Sequence, residues 1–332
     1  MRKQDPVYGT LSLEHPLLAD LYRSQAVQRL AQIYQGGVTA FVKPERITTR
    51  LDHSLGVMGL LQRLGADIVE QAAGLLHDVP HTAFSHVVDF VFPNHDHTYH
   101  ERHSAEVIAH SDLPAILAAH GLDWRHVTEP THFPLLEQPL PALCADRLDY
   151  FLRDGLTLGY LQRHEVTALL EHLHAHRAQI VVTDLEAARW LGERFMALDD
   201  AIWCSVQEVG WYAAMARALR AALESGLLTE ADFGGTDAPL MARLRASDDA
   251  QIRRRLALLR PDVDFVRVDI AEADLVALPK VRAIDPPVLS DGRVTPLSML
   301  DPSFAQQRAA YVQRKQGHWG LKIDSTEKKV FQ

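Results

Sequence analysis

The sequence predicts a mainly α-helical protein: a helical body (residues 1–225) followed by a smaller region of mixed helix and strand (residues 226–332). Three observations lead there. Apolar residues recur at three- and four-residue steps through "HPLLADLYRSQAVQRLAQIY", "LDHSLGVMGLLQRLG" and "ADIVEQAAGLLHD". The texture then changes, since "VDFVRVDI" alternates like a strand and "KVRAIDPPVLSDGRVTPLSML" carries the turn signals of a second strand or hairpin. The chain has 332 residues, 47% of them hydrophobic and 23% charged, enough apolar material for a large core and too little charge for a disordered chain.

Taken in order, "MRKQDPVYGT" has no apolar signal region, and no apolar run reaches membrane-spanning length, so a cytoplasmic protein is expected. Turn-forming residues at 92–97, 129–141 and 234–239 mark loops. Residues 184–224 read as two or three helices, with Asp184 as N-cap and Gly226 as stop. "DSTEKKVFQ" reads as a tail. The two cysteines, Cys144 and Cys204, lie far apart in apolar segments, so they support neither a disulfide framework nor a cysteine-based zinc site. The net charge of −9 and the lack of a long basic block argue against polynucleotide, whereas a single nucleotide needs only a local cationic or metal site.

Chemistry concentrates in "LLHDVPHTAFSH", residues 75–86, because eleven of the 18 histidines fall between His77 and His132. Buried histidine and aspartate require partners. Pro80 disfavours helix at Val79, so the preceding helix should end near Asp78, with the doublet His77–Asp78 at its electronegative end. A new helix starting at His81 or Thr82 would turn free N–H groups toward an anion such as phosphate. A metal needs further ligands, and His53 in "RLDHSLG" and Asp146 in "CADRLDYFLRD" stand on neighbouring helical segments. Asp146, Tyr150, Arg153 and Asp154 fall on one polar stripe. His95, His97, His110, His120, His126 and His132 read as surface or loop residues. On a helix, His172 and His176 would share a solvated face, with no carboxylate motif beside them.

These residues resemble the HD superfamily of metal-dependent phosphohydrolases. The order "DPVYGTLSLEHPLL", "QRLAQIYQGG", "TRLDHSLGV", "HDVPHTAFSH", "HERHS", "DRLDYFLRDGLTLG" is similar to that of the deoxynucleoside triphosphate triphosphohydrolases, over residues 5–225. The resemblance implies an HD-domain helical bundle as the catalytic body and a nucleotide substrate, foremost a (deoxy)nucleoside triphosphate cleaved to nucleoside and triphosphate. It implies a metal set of His53, His77, Asp78 and Asp146, holding Fe, Mn, Zn, Ni or Co, with Mg accompanying the substrate phosphates. His81 and His86 would touch the reacting phosphate. Asp89 and His100 would form the acid–base pair, with His103 as a second candidate. Arg50 and Arg147 would contact phosphate, while Tyr150, Asp154 and Gln35 would meet the sugar end. A homo-oligomer is implied as well.

Two departures bear on specificity. Gly36 stands where the family has a leucine near the sugar 2′ position, and "ALDDAIWCSVQEVG" lacks the Arg, His and Tyr pattern that binds outer phosphates and base. Two other readings stay open: a dinuclear iron oxygenase, in which His81, His100 and His103 supply extra ligands, and a non-catalytic nucleotide-sensing module.

Overall fold

The computed structural model describes residues 1–45, 47–92 and 99–324, and of His100 and Glu101 the backbone alone. One core forms around three helices. Thr49 starts the Arg50–Arg63 helix with a reciprocal cap: its hydroxyl accepts from the Asp52 N–H, and the Asp52 carboxylate accepts from the Thr49 N–H. The Ile68–Leu76 helix starts at Asp67, whose carboxylate accepts from the N–H groups of Val69 and Glu70. The Ala145–Thr157 helix packs against the first of these at Gly56. A Cβ there would lie 1.8 Å from Arg153 Nη2 and 2.0 Å from Asp149 Oδ1, so only glycine admits that ion pair. A hairpin of Arg2–Asp5 and Gly9–Ser12 closes this side.

A second core surrounds the Val206–Glu224 helix, with the Val87–Val91 and Ala250–Leu256 helices packed on it. An antiparallel sheet covers it, in the order Phe265–Val268, Trp319–Ile323, Leu275–Ala277. The strand expected near 263–270 is the first of these. The expected hairpin is Pro287–Ser290 with Arg293–Pro296, turning at Asp291 and Gly292, whose φ values are +50° and +73°. Its first strand pairs in parallel with Gln179–Val182, at Val182 opposite Val288. Ile284, Val288 and Phe304 sit in the first core, while Val38, Phe84 and Val87 sit in the second. The packing thus crosses residue 225 in both directions, and elements from either side of it meet around one cavity.

The mainly α reading holds, and Asp184 caps the Leu185–Leu198 helix as expected. Two local readings need correction. His172, His174 and His176 do not share a helix: Arg163–His172 ends there, and Leu173–His176 is a strand that turns back through Arg177 and Ala178, both at positive φ. Nor does a helix begin at His81. Residues 80–86 form a turn in which Phe84 and Ser85 have φ of +62° and +50°, and helix resumes only at Val87. Distant partners hold this turn. Asp237 accepts from the N–H groups of Phe84 and Tyr34, Phe233 O accepts from Ala83 N–H, and Arg29 donates to the carbonyls of Val79 and His81. Among the described residues no helix is long and apolar enough to cross a membrane.

Candidate metal centre and cavity

The Ile68–Leu76 helix ends where Pro80 predicts, with His77 as its C-cap residue. His77 and Asp78 therefore leave the helix facing His53 on Arg50–Arg63 and Asp146 in the first turn of Ala145–Thr157. His53 Nε2 lies 2.8 Å from Asp146 Oδ1 and 3.3 Å from His77 Nε2. His77 Nε2 lies 3.4 Å from Asp78 Oδ1 and 3.6 Å from Asp146 Oδ1. The donor atoms of His53, His77 and Asp146 fall within 4.8 Å of one another, as one ion requires.

The backing of these rings fits a metal ion. His53 Nδ1 is 2.7 Å from Asp149 Oδ2, and His77 Nδ1 is 2.8 Å from the carbonyl of Gly74. In the neutral rings both Nδ1 atoms donate, which leaves both Nε2 lone pairs directed at the common centre. Two such lone pairs 3.3 Å apart are relieved by positive charge between them, a proton on one ring or a metal ion. The electrostatics agree: burial works against a charged His53, yet hydrogen bonds to Asp146 and Asp149 and the charge of Asp78 push its pKa up to about 10. The pocket thus holds positive charge strongly.

Asp149 is a site residue that sequence reasoning missed. It is fully buried and also receives Arg153 through Nε and Nη2, both at 2.9 Å, while Arg153 Nη2 reaches Asp5 at 2.9 Å. Its signal was its place three residues after Asp146 on the same helix. Arg153 accordingly turns away from the stripe of Asp146, Tyr150 and Asp154 into this buried ion cluster. Asp149→Asn should weaken metal affinity by roughly 10- to 100-fold, the usual effect of altering an outer-shell partner. Metal titration of the apoprotein checks this, and affinity equal to wild type would remove Asp149 from the support of His53.

The remaining residues border a cavity of about 770 Å³. Arg50 is buried, donating from Nε to Ser85 Oγ at 2.8 Å and from Nη1 to Asp78 Oδ2 at 2.7 Å, while its Nη2 is buried with no hydrogen-bond partner among the described residues. Its fork therefore has one nitrogen, Nη2, left for a ligand. His81 Nε2 lies 3.3 Å from Asp78 Oδ1, and the rings of His81 and His86 meet edge-on at 5.0 Å. Asp89 pairs with His86, Nδ1 to Oδ2 at 2.9 Å, and its other oxygen accepts from the Tyr99 N–H. The side chain of His100 lies outside the described residues, while His103 stands near Glu106 at 4.0 Å on a half-exposed site. Burial pushes the His86 pKa down to about 4 despite Asp89, so the ring is neutral at physiological pH.

At the far end, Tyr150 packs edge-on against Trp203, whose indole N–H donates to Asp154 Oδ2 at 2.8 Å. Gln35 also borders the cavity, and its Oε1 is buried with no hydrogen-bond partner among the described residues. Arg147 borders the cavity but directs its donors elsewhere, Nη1 to the carbonyl of Ala142 at 2.7 Å and Nη2 to that of Gln138 at 3.0 Å. The loop before its helix offers those carbonyls, so a phosphate would have to compete with them. Glu137, Cys144 and Asp146 also stand together, but burial pushes the Cys144 thiol up and keeps it protonated, a poor ligand. Trp203, Glu208, Tyr212, Lys280 and Arg282 also line the cavity.

Comparison with known proteins decides the family. Residues 50–154, the segment that carries every residue of the metal set, match the HD domain. The whole chain is similar to the metal-dependent phosphohydrolase cns2 of Cordyceps militaris, 34% identical over 328 residues that cover 95% of this chain and 93% of that one. The chain belongs to the HD-domain metal-dependent phosphohydrolases. This HD phosphohydrolase is also 38% identical to protein YdhJ of Bacillus subtilis over 319 residues, 96% of this chain and 98% of that one. A shorter match, 33% identical over 139 residues, joins 37% of it to 19% of the chicken deoxynucleoside triphosphate triphosphohydrolase SAMHD1. As a family member it is a hydrolase whose His and Asp residues stand in position for a metal ion.

Proposed function

We propose that this HD phosphohydrolase acts on a nucleotide, with (deoxy)nucleoside triphosphates the first class to test. The observation that carries the reading is the orphaned Nη2 of Arg50, a buried cationic donor at the edge of the metal set with no partner among the described residues. Burying such a donor is unfavourable unless a ligand oxygen meets it. A metal ion held by His53, His77, Asp78 and Asp146 would polarise a phosphoryl group and lower the pKa of bound water.

The chain's own groups perform the rest. Arg50 Nη2 receives a phosphate oxygen and offsets the charge that develops there. Asp78 keeps the Arg50 fork in place through Nη1. His86, oriented by Asp89, holds a proton for the leaving ester oxygen, the role the resemblance gives to His100. In the free protein the ring is neutral, and an arriving phosphate adds the negative charge that favours its protonated form. The nucleoside extends toward Tyr150 and Trp203, where Gln35 Oε1 and Asp154 accept hydrogen bonds from sugar or base.

The test is a screen of mono-, di- and triphosphates of nucleosides and deoxynucleosides, with Mn, Fe, Co, Ni or Zn loaded and with metal stripped, products being separated by chromatography. Metal-dependent appearance of a nucleoside supports the reading, and its co-product distinguishes phosphate from triphosphate release. A metal-loaded protein that converts none of these nucleotides overturns it. Two bound irons with oxygen consumption would mark an oxygenase, and nucleotide binding without turnover a sensor.

The sugar can be addressed separately. A Cβ at Gly36 would meet only Thr39 Cβ at 3.8 Å, and Gly36 borders the cavity, so the space that leucine fills elsewhere in the family is open. The protein should discriminate weakly between ribo- and deoxyribonucleotides. Gly36→Leu should shift the ratio of their kcat/KM values toward the deoxy form by about 10- to 200-fold, the range of pocket-shape effects. A wild-type protein that already rejects ribonucleotides by more than that would sink the idea.

A further inference from the structure

The C-terminal region brings a cation to the cavity that no motif of the helical body supplies. Residues 279–282 follow the Leu275–Ala277 strand, and the chain is anchored on both sides of Lys280. Ala277 pairs with Trp319, the Arg282 N–H donates to Asp199 Oδ2 at 2.8 Å, and Ala283 and Ile284 are buried in the first core. Lys280 lines the cavity from this fixed support, and its charge acts on Asp146, Glu137 and Asp89 across the space and on His86.

Among the described cationic side chains that border the cavity, Lys280 alone has neither a hydrogen bond nor an ion pair. Arg50 is joined to Asp78 and Ser85, Arg147 to two carbonyls, and Arg282 to the Lys280 carbonyl and, at 3.6 Å, Asp199. Arg125 lies 3.7 Å from Asp123. Lys280 is exposed and borders the cavity, and its ammonium is paired with none of the acidic groups there, so it is available to an arriving anion. Partial loss of hydration and the neighbouring Arg282 draw its pKa below the ordinary lysine range.

We propose that Lys280 binds the phosphate of the substrate from the C-terminal region's part of the cavity wall, completing with Arg50 a clamp on that group. The inference rests on the phosphohydrolase reading of the site and adds a phosphate ligand from outside the HD domain. It accounts for a phosphate site that Arg147, turned onto its own loop, does not complete. It also makes the C-terminal region part of the substrate site. A lysine on a flexible stem suits a phosphate whose geometry changes during displacement, because it acts as a point charge and not as a planar fork.

The experiment uses the metal-loaded full chain, with inorganic phosphate titrated by calorimetry as a probe independent of turnover. Lys280→Met should weaken phosphate binding by roughly 10- to 100-fold, the scale of one charge-assisted hydrogen bond. Lys280→Arg, which keeps the charge, should restore most of it. Bound metal should be unchanged in both variants. With whichever nucleotide is turned over, Lys280→Met should raise KM more than it lowers kcat. Phosphate binding in Lys280→Met within about twofold of wild type, a difference well below one such bond, overturns the proposal. So does a wild-type protein that binds no phosphate. Failure of the phosphohydrolase reading shows separately, as absent turnover in a wild-type protein whose phosphate affinity still depends on Lys280.

Discussion

Asp78→Ala should lose bound metal and hydrolysis together, and should also unfold more easily. Asp78 serves two partners. Its Oδ1 faces His77 and His81 at 3.4 and 3.3 Å, while its Oδ2 accepts from Arg50 at 2.7 Å. Alanine removes the anionic ligand and leaves the buried Arg50 without its carboxylate, and breaking a buried pair from one side typically costs about 3–5 kcal/mol.

The pH dependence of this contribution has a definite sign. Burial opposes a charged Asp78, but Arg50, His77 and His53 hold its pKa down to about 2, against an ordinary 3.8. The folded state is therefore the weaker proton binder between these values. The stability is fully present above 3.8 and is lost as the pH falls through about 2. Elemental analysis, turnover and denaturant midpoints at neutral pH check the variant. Asp78→Asn separates the effects, since it preserves shape while removing charge. Undiminished metal content in both proteins would rule out Asp78 as a ligand.

His86→Ala should keep its metal and lose about 10²- to 10⁴-fold in kcat, the usual contribution of general acid–base assistance. The contact between His86 Nδ1 and Asp89 at 2.9 Å fixes the ring and points Nε2 toward the cavity, where His81 lies edge-on. Asp89→Asn should reproduce part of the loss, because it removes the negative charge that favours a protonated ring. Comparing both with His100→Ala assigns the proton donor. A large loss in His100→Ala with little change in His86→Ala would return the role to the pair that the family resemblance implies.

Much of the candidate centre was legible because its signals are local. Pro80 restricts the residue before it, and that alone ends the helix beside His77 and Asp78. The doublet, His53 and Asp146 were readable as ligand types on helical segments, and the fold brings them together. The pairing of Asp89 with His86 was also within reach, since residues three apart on a turn of helix are neighbours. The strand at Phe265–Val268 and the hairpin after it followed from alternation and turn residues.

By itself, the sequence determined the helical class, the cap at Asp184, the family and the candidate ligands His53, His77 and Asp146, whose donor atoms the fold brings within 4.8 Å of one another. These depend on backbone preferences and side-chain periodicity that act over a few residues. The tertiary structure alone decided the rest. It replaced an expected helix at 81–86 with a turn, because Asp237 and Arg29, far away in the chain, satisfy its backbone groups. It gave His53 the support of Asp149, turned Arg153 toward Asp5 and Arg147 toward its own loop, and carried Lys280 to the cavity. Buried charges and polar backbone groups must find partners at hydrogen-bond distance, and which partners arrive there depends on how distant segments pack.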